Sequence, residues 1–239
     1  MPLPKISSPI YTTILPSSGK KISYRPFLVR EEKLLMIAGK SEDPETIITN
    51  TNQVLQNCVQ DKDFNAETIA AYDAQWLFLK LREVSMGDTV IAKVRCPISG
   101  EYFDAELDLK LAKLVKIEGR ENVILFEQGV GITLRDVTLK DIFLELTKLQ
   151  TDEYAGVLNL LKRCVVNVFD EETVHEAKNL TDADLQEFME GLKKEHFDKL
   201  TAYFDTVPKI CLEQDLHSPH ANKQIKLVLE NFMDFFAYG

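Results

Sequence analysis

The order of apolar and polar positions predicts a β-hairpin followed by a helix near the start of the chain. Two β-rich runs flank the turn-forming Pro-Ser-Ser-Gly cluster at 16–19. Pro26 ends the second run, because proline lacks the N–H that a paired strand uses. Beyond it, Val29, Lys33 and Met36 share one helical face, which neighbouring apolar residues widen. The pattern therefore indicates a hairpin and then a buried helix.

The rest of the first half alternates between helical and strand patterns. Asp43-Pro44-Glu45 has the signature of a helix start, since it combines a capping carboxylate, a proline at the first helical position and an acid in the first turn. A strongly apolar helical stretch follows at 66–86. Apolar residues then alternate with polar ones along 90–109 and again along 122–134, with turn residues in between. Each of these two stretches predicts a hairpin.

From residue 138 onward the pattern is mainly helical. The segment 138–141 has the form of a capping box, and a second helix start at 181–184 opens a long apolar face that runs to Pro208. Short β-type runs at 164–169 and 224–229 interrupt this pattern, and the second run leads into an aromatic-rich helix near the end of the chain.

These elements together predict the α+β class. We expect β-hairpins and helices in the N-terminal half, and a mainly helical C-terminal half with a small terminal β-hairpin. The corresponding domains are an α+β domain at 1–135, which begins with an extended arm at 1–9, and a mainly helical domain at 136–239. The second domain is either continuous with the first or separate from it. No internal repeat of roughly 20–50 residues is visible.

Composition and charge exclude several functional classes. The 239 residues carry a formal net charge of −10, which argues against general nucleic-acid binding, because phosphate recognition uses clustered Lys and Arg. No apolar run approaches the roughly 20 residues of a membrane span. The chain opens without a charged-then-apolar leader, and Cys58, Cys96, Cys164 and Cys211 have no disulfide-type spacing. We therefore expect a soluble protein made in a reducing cytoplasm.

No catalytic motif stands out. The sequence has no Gly-x-Ser-x-Gly elbow, no phosphate-binding Gly-Lys-Ser/Thr loop and no His-Glu-x-x-His helix. We therefore assign no catalytic and no cofactor-binding residue, and expect a protein that is not an enzyme. Since catalytic groups are assembled in space, a small soluble enzyme or binding domain with an unrecognised site stays as an alternative.

Two turns have the outline of zinc knuckles. Residues 96–100 form a Cys-x-x-Cys-Gly sequence in which Ser99 replaces the second cysteine, and His217 and His220 have the same spacing in a second turn. Cys96, His217 and His220 are thus the candidate metal ligands. A closed structural zinc site takes four ligands and serine is a poor one, so we expect no cofactor, with a structural zinc as the alternative.

Several stretches occur together in an order that points to one family. The most specific is the block Tyr24-Arg25-Pro26-Phe27 with the residues that follow it up to Lys33. The supporting stretches are Leu3-Pro4-Lys5 with Pro9 and Tyr11, Leu15 to Lys20, Leu77 to Arg82, Phe204 to Pro208, and Met233 to Phe236. With them the chain resembles, over nearly its whole length, the baseplate hub subunit family of T-even-like contractile-tailed bacteriophages.

The resemblance implies a non-enzymatic virion protein of the tail baseplate, assembled in the host bacterial cytoplasm. It implies a structural role in the hub, with other hub proteins, the tail tube and the tape-measure protein as partners, and without nucleic acid or a membrane span. It also implies that members carry Cys-x-x-Cys turns where this chain has Cys96-x-x-Ser99 and His217-x-x-His220, so that the turns persist here while metal binding is lost or altered. A transient assembly chaperone that is not retained in the virion is the alternative interpretation.

Interfaces with these partners are expected at both ends of the chain. Leu3 and Pro4 lie in the N-terminal arm, and Phe232, Phe235 and Phe236 lie in the aromatic-rich C-terminal segment. Such apolar segments order on binding and cover large surfaces. They are the candidate protein-interface residues.

Overall fold

The computed structural model describes residues 7–230, apart from the side chains of residues 146–150 and 153. The chain divides into two compact units. Unit 1 combines the chain up to Val115 with the chain from Lys209 onward, and unit 2 is the intervening segment Lys116–Pro208. The first six residues of the predicted arm and the predicted terminal helix lie outside the described residues.

The described residues form seven α-helices and eleven strands. The helices are α1 (Val29–Lys40), α2 (Pro44–Cys58), α3 (Ala71–Met86), α4 (Leu139–Thr151), α5 (Glu153–Cys164), α6 (Asp182–Glu190) and α7 (Lys194–Asp205). The strands are β1 (Tyr11–Ile14), β2 (Lys21–Tyr24), β3 (Thr89–Arg95), β4 (Tyr102–Asp108), β5 (Lys113–Val115), β6 (Val123–Leu125), β7 (Gly131–Leu134), β8 (Val165–Phe169), β9 (Val174–Glu176), β10 (Lys209–Ser218) and β11 (Lys223–Leu229). None of these helices has the length and apolar character that a membrane span requires.

Unit 1 is built around a sheet that joins distant parts of the chain. β10 pairs with β11 on one side and with β5 on the other, both antiparallel, so that Ile210 lies opposite Leu114. The β3–β4 hairpin alternates between exposed polar and buried apolar residues, and its buried Val94 and Leu107 share one core with Leu212 of β10. A separate two-stranded sheet, β1–β2, precedes α1.

Unit 2 contains four helices and a sheet in the order β6-β7-β8-β9, in which all neighbours are antiparallel. β8 begins directly after α5, and Val165 lies opposite Leu134. The apolar face predicted up to Pro208 is divided between two helices, because α6 ends before Gly191 and α7 begins at Lys194.

The prediction of a mainly helical C-terminal half is wrong. β8 and β9 lie between its helices, and β10 and β11 form a long hairpin within a three-stranded sheet. β8 pairs with β7, and β10 pairs with β5, which are both strands of the first half. Strand formation depends on such cross-strand neighbours more than on local propensity, so a local pattern underestimates it. The fold is α+β throughout the described residues.

Candidate functional site

The two knuckle-like turns face each other in unit 1. The first joins β3 to β4 and the second joins β10 to β11. Cys96 and Ser218, both buried, lie at their contact, where the Ser218 hydroxyl donates a hydrogen bond to the Cys96 Sγ at 3.1 Å. The two turns also share a local geometry, because the N–H of Ser99 donates to Cys96 Sγ at 3.4 Å and the N–H of Ala221 donates to Ser218 Oγ at 3.3 Å. Ser218 therefore occupies the position in the second turn that Cys96 occupies in the first.

The three candidate metal ligands are not brought together. His217 is exposed, since it points to the opposite side of β10 from its buried neighbour Ser218. His220 lies at the surface, with its Nδ1 at 2.8 Å from a carboxylate oxygen of Glu101. Of the three candidates only Cys96 is buried, and it accepts a hydrogen bond from the Ser218 hydroxyl.

The residues present at the turns therefore do not fit a closed zinc site. The four matching positions are occupied by Cys96, Ser99, Ser218 and Ala221, and zinc sites of this kind use thiolate or imidazole ligands. Hydrogen bonds from Ser218 and Ser99 lower the pKa of the Cys96 thiol to about 6, since donors stabilise the thiolate. The chain thus joins the two turns by hydrogen bonds. The sequence signal for these four positions is the alignment of the two proline-containing turns, which places Ser218 opposite Cys96 and Ala221 opposite Ser99.

A second cluster of metal-ligand type lies in unit 2 and was not predicted. Glu127, Glu195 and His196 bring their ligand atoms within 4.8 Å of one another. The Lys193 ammonium lies 2.5 Å from the Glu127 carboxylate and 3.8 Å from that of Glu195, and it lowers the pKa of Glu127. His196 packs against the Phe126 ring, with ring centroids 4.8 Å apart. The two carboxylates of the cluster are therefore explained by their ion pairs with Lys193, and His196 by its packing against Phe126.

The remaining thiols have the surroundings of structural cysteines. All four cysteines are unpaired and buried. Burial raises the pKa of Cys58 to about 11 and that of Cys164 to about 12, so neither is an activated nucleophile at neutral pH.

The outer face of α1 is exposed, which overturns the predicted burial of this helix. Val29 is 81% exposed and Met36 is 56% exposed, and Ile37 beside them is exposed as well. Val29 and Met36 are seven residues apart and so lie on the same side of the helix. Only Glu31 and Ala38 of α1 are buried. Lys33 and Lys40, which lie on the same face, were the sequence signal that this face is not core.

A buried ion pair fixes the start of α1. Arg25 binds Glu31 in a bidentate manner, with nitrogen–oxygen distances of 3.2 and 3.1 Å, and the N–H of Leu28 donates to Glu31 Oε2 at 2.8 Å. Burial alone would raise the pKa of Glu31, but the hydrogen bonds from Arg25, Leu28 and Arg30 outweigh it and lower that pKa to about 2. The exposed face of α1 is thus held on a rigid support at its first turn.

The terminal interface candidates cannot be compared with this surface. Leu3 and Pro4 precede the described residues, and Phe232, Phe235 and Phe236 follow them. They stay predictions.

Comparison with known proteins assigns the chain to one protein family. No curated protein and no solved structure matches the chain. A family model described as T4 bacteriophage base plate protein matches residues 8–237, which include all of unit 2 and most of unit 1. The resemblance to phage baseplate proteins is thereby confirmed at the level of the baseplate. The chain belongs to the T4 bacteriophage base plate protein family.

Proposed function

We propose that this chain is a non-enzymatic structural subunit of the baseplate hub, where it connects hub, tail-tube and tape-measure proteins. Membership of the family makes it a structural component of the baseplate in the virion tail, with other tail proteins as partners. The assignment to the hub, and to assembly in the host cytoplasm, rests on the Tyr24-Arg25-Pro26-Phe27 block and the stretches that accompany it.

The observation that carries an assembly role is the exposed apolar surface of unit 1. Side chains as large as Val29 and Met36 are left in solvent on one helical face, and Ile10 and Ile14 are exposed near β1. Apolar groups grouped on one face are typical of protein interfaces, because their burial is completed only by a partner. A permanent place in a large assembly accounts for this surface.

The proposal is tested by mass spectrometry of purified phage particles and of tail intermediates from infected cells. A fixed ratio of this chain to the other hub proteins in mature particles is the expected result. Presence only in intermediates, bound to hub or tape-measure proteins, would replace the proposal by a transient assembly chaperone. Absence from both would contradict a role in the tail and return attention to an unrecognised enzyme or binding site.

We also propose that the two terminal segments take part in these contacts. The change Phe235→Ser with Phe236→Ser should abolish incorporation into the hub while the isolated protein keeps its melting temperature. A matched control replaces the exposed Ile98 and Tyr102 with serine and should be incorporated normally. If the Phe235/Phe236 variant unfolds, these residues belong to a core and the interface assignment is wrong.

A further inference from the structure

Two arginines, one in each unit, bind an acid six residues further on in the same way. In unit 1 Arg25 binds Glu31 as described above. In unit 2 Arg135 binds Asp141, also in a bidentate manner, with nitrogen–oxygen distances of 2.7 and 3.2 Å. The acid then accepts a hydrogen bond from the backbone N–H that precedes the helix, from Leu28 at 2.8 Å in one case and from Thr138 at 2.9 Å in the other.

The remaining donors of the two guanidinium groups also reach matching carbonyl groups. Nη1 donates to the backbone carbonyl of the next residue, which is Pro26 for Arg25 and Asp136 for Arg135, at 2.9 Å in both cases. Nη2 donates to the residue before a buried cysteine, the Asn57 carbonyl at 2.9 Å in unit 1 and the Arg163 carbonyl at 2.8 Å in unit 2. Each arginine therefore ties the start of one helix to the end of the next.

The backbone around each arginine repeats as well. The N–H of Arg25 donates to the Cys58 carbonyl at 3.0 Å, and the N–H of Arg135 donates to the Cys164 carbonyl at 2.8 Å. The residue before each arginine pairs in antiparallel fashion with the residue after that cysteine, as Tyr24 with Val59 and as Leu134 with Val165. In both places the order is hairpin, arginine, helix, helix, cysteine and a residue that pairs with the end of the hairpin.

We infer that residues 11–59 and 123–165, here named module A and module B, are two copies of one ββαα module. The shared contacts involve an arginine, an acid, a cysteine and backbone groups, while most other side chains differ. This explains why the repeat is not visible as sequence periodicity.

The two modules differ at the helix that follows the arginine. Val29 of α1 is 81% exposed, whereas Leu139, which holds the same place in α4, is 3% exposed. Lys33 is exposed and its counterpart Phe143 is buried. At these two positions, therefore, module A leaves exposed what module B buries.

Resting on the proposed function, we further infer that this open face, formed by Val29, Lys33, Met36, Ile37 and Lys40, binds an amphipathic helix of another baseplate protein. An apolar stripe with the spacing of a helix suits a helical partner. The two lysines favour acidic residues beside the apolar stripe of that partner. A second copy of this chain fits less well, because a two-fold contact would place the same lysine-bearing face against itself.

The binding face is tested by matched substitutions in the full chain. Val29→Glu with Met36→Glu should leave the melting temperature within a few degrees of the wild type and remove the protein from purified tails, by at least about tenfold relative to other hub proteins. Leu139→Glu, the control in module B, should fail to fold. Normal incorporation of the Val29/Met36 variant, or dimers of the wild-type chain that this variant dissociates, would overturn the inference. Absence of the wild-type chain from tails would instead overturn the proposed function.

The repeat itself is tested by transplanting the segment that follows the arginine from module B into module A. Residues 26–31 are replaced by the sequence of residues 136–141, and the control exchanges the charges by Arg25→Glu with Glu31→Arg. If the segments are equivalent, the transplant should fold with a melting temperature near that of the wild type, while the charge exchange should lower it strongly. A transplant that is as unstable as the charge exchange would show that the two arginine sites are not interchangeable.

Discussion

Module A and module B hold their helices by the same contacts, but they use the first helix differently. In module B, Leu139 and Phe143 of the first helix are buried, and β8 continues beside β7 for several residues after the cysteine. In module A the corresponding face of α1 is exposed, and the returning strand is reduced to a single bridge at Val59 followed by Asp61, whose carboxylate accepts the Ser23 N–H at 2.7 Å.

This difference separates the parts of the module that specify its fold from those that are free to change. The arginine, the acid and the carbonyl groups are common to both, because the guanidinium satisfies several acceptors at once. The outer face of the first helix is not tied to that network. The same arginine junction can therefore support either a helix whose first turn is buried or a helix that presents an apolar surface.

Breaking the arginine junction should have the largest effect on stability. Arg25→Met removes the buried bidentate partner of the Glu31 carboxylate, leaves it only the exposed Arg30 and the Leu28 N–H, and should cost about 3–5 kcal/mol in the free energy of unfolding. Arg135→Met should cost less, because the Arg135 side chain is 39% exposed and water replaces part of its contacts. Urea unfolding followed by circular dichroism measures both. Arg30→Met is the control, since Arg30 contacts the same carboxylate from solvent and should change stability by about 1 kcal/mol or less.

Truncation of the helix face should distinguish the modules next. Leu139→Ala removes a buried side chain and should destabilise the protein by about 2–5 kcal/mol, whereas Val29→Ala at the same place in module A should stay within about 0.5 kcal/mol of the wild type. Similar losses for the two variants would mean that the α1 face is covered in the isolated protein.

Acid should weaken the junction of module A over a defined range of pH. The ordinary pKa of a glutamate is 4.5, and that of folded Glu31 is about 2, so its contribution to stability is present above about 4.5 and is lost as the pH falls towards 2. Unfolding free energies measured between pH 7 and pH 2 should therefore fall less for Glu31→Gln than for the wild type. Equal pH profiles for the two proteins would assign the acid sensitivity to other carboxylates.

The smallest expected effect concerns the residue that precedes each helix. The Thr138 hydroxyl accepts the Asp141 N–H at 3.2 Å, but the Leu28 side chain has no acceptor. Leu28→Thr should stabilise module A by up to about 1 kcal/mol, and Thr138→Val should destabilise module B by about 0.5–2 kcal/mol. The melting temperature should rise for Leu28→Thr and fall for Thr138→Val, relative to the wild type. A lower melting temperature for both variants would show that the two caps are not equivalent.

The elements that the sequence predicts correctly depend on neighbours in the chain. The cap at Asp43 is an example, because its carboxylate accepts the Thr46 N–H at 2.9 Å and the proline at Pro44 lies at the first helical position, as expected. The three hairpins of the first half were likewise visible from alternation and turn residues. These signals need no knowledge of the rest of the fold.

The features that were missed depend on contacts between distant residues. β10 is stabilised by pairing with β5 and β11, and its own sequence alternates too irregularly to show this. The knuckle ligands were assigned to His217 and His220 by spacing, although the strand places Ser218 towards Cys96. The exposure of Val29 could not be inferred from an apolar pattern, since the same pattern describes a core face and an interface.

The pairing of β5 with β10 also determines the order in which the two units can fold during synthesis. Unit 1 needs residues from Lys209 onward to complete its core, so all of unit 2 must be synthesised before unit 1 can close. At about 5–20 residues per second, the roughly 90 residues of unit 2 take about 5–20 s to make. During that interval β5 lacks its partner strand β10, and the β3–β4 hairpin lacks the apolar side chains of β10 and β11 that share its core. Unit 2, in contrast, has all of its own segments once Pro208 has emerged. Unit 2 is therefore expected to be the first of the two to finish folding on the ribosome.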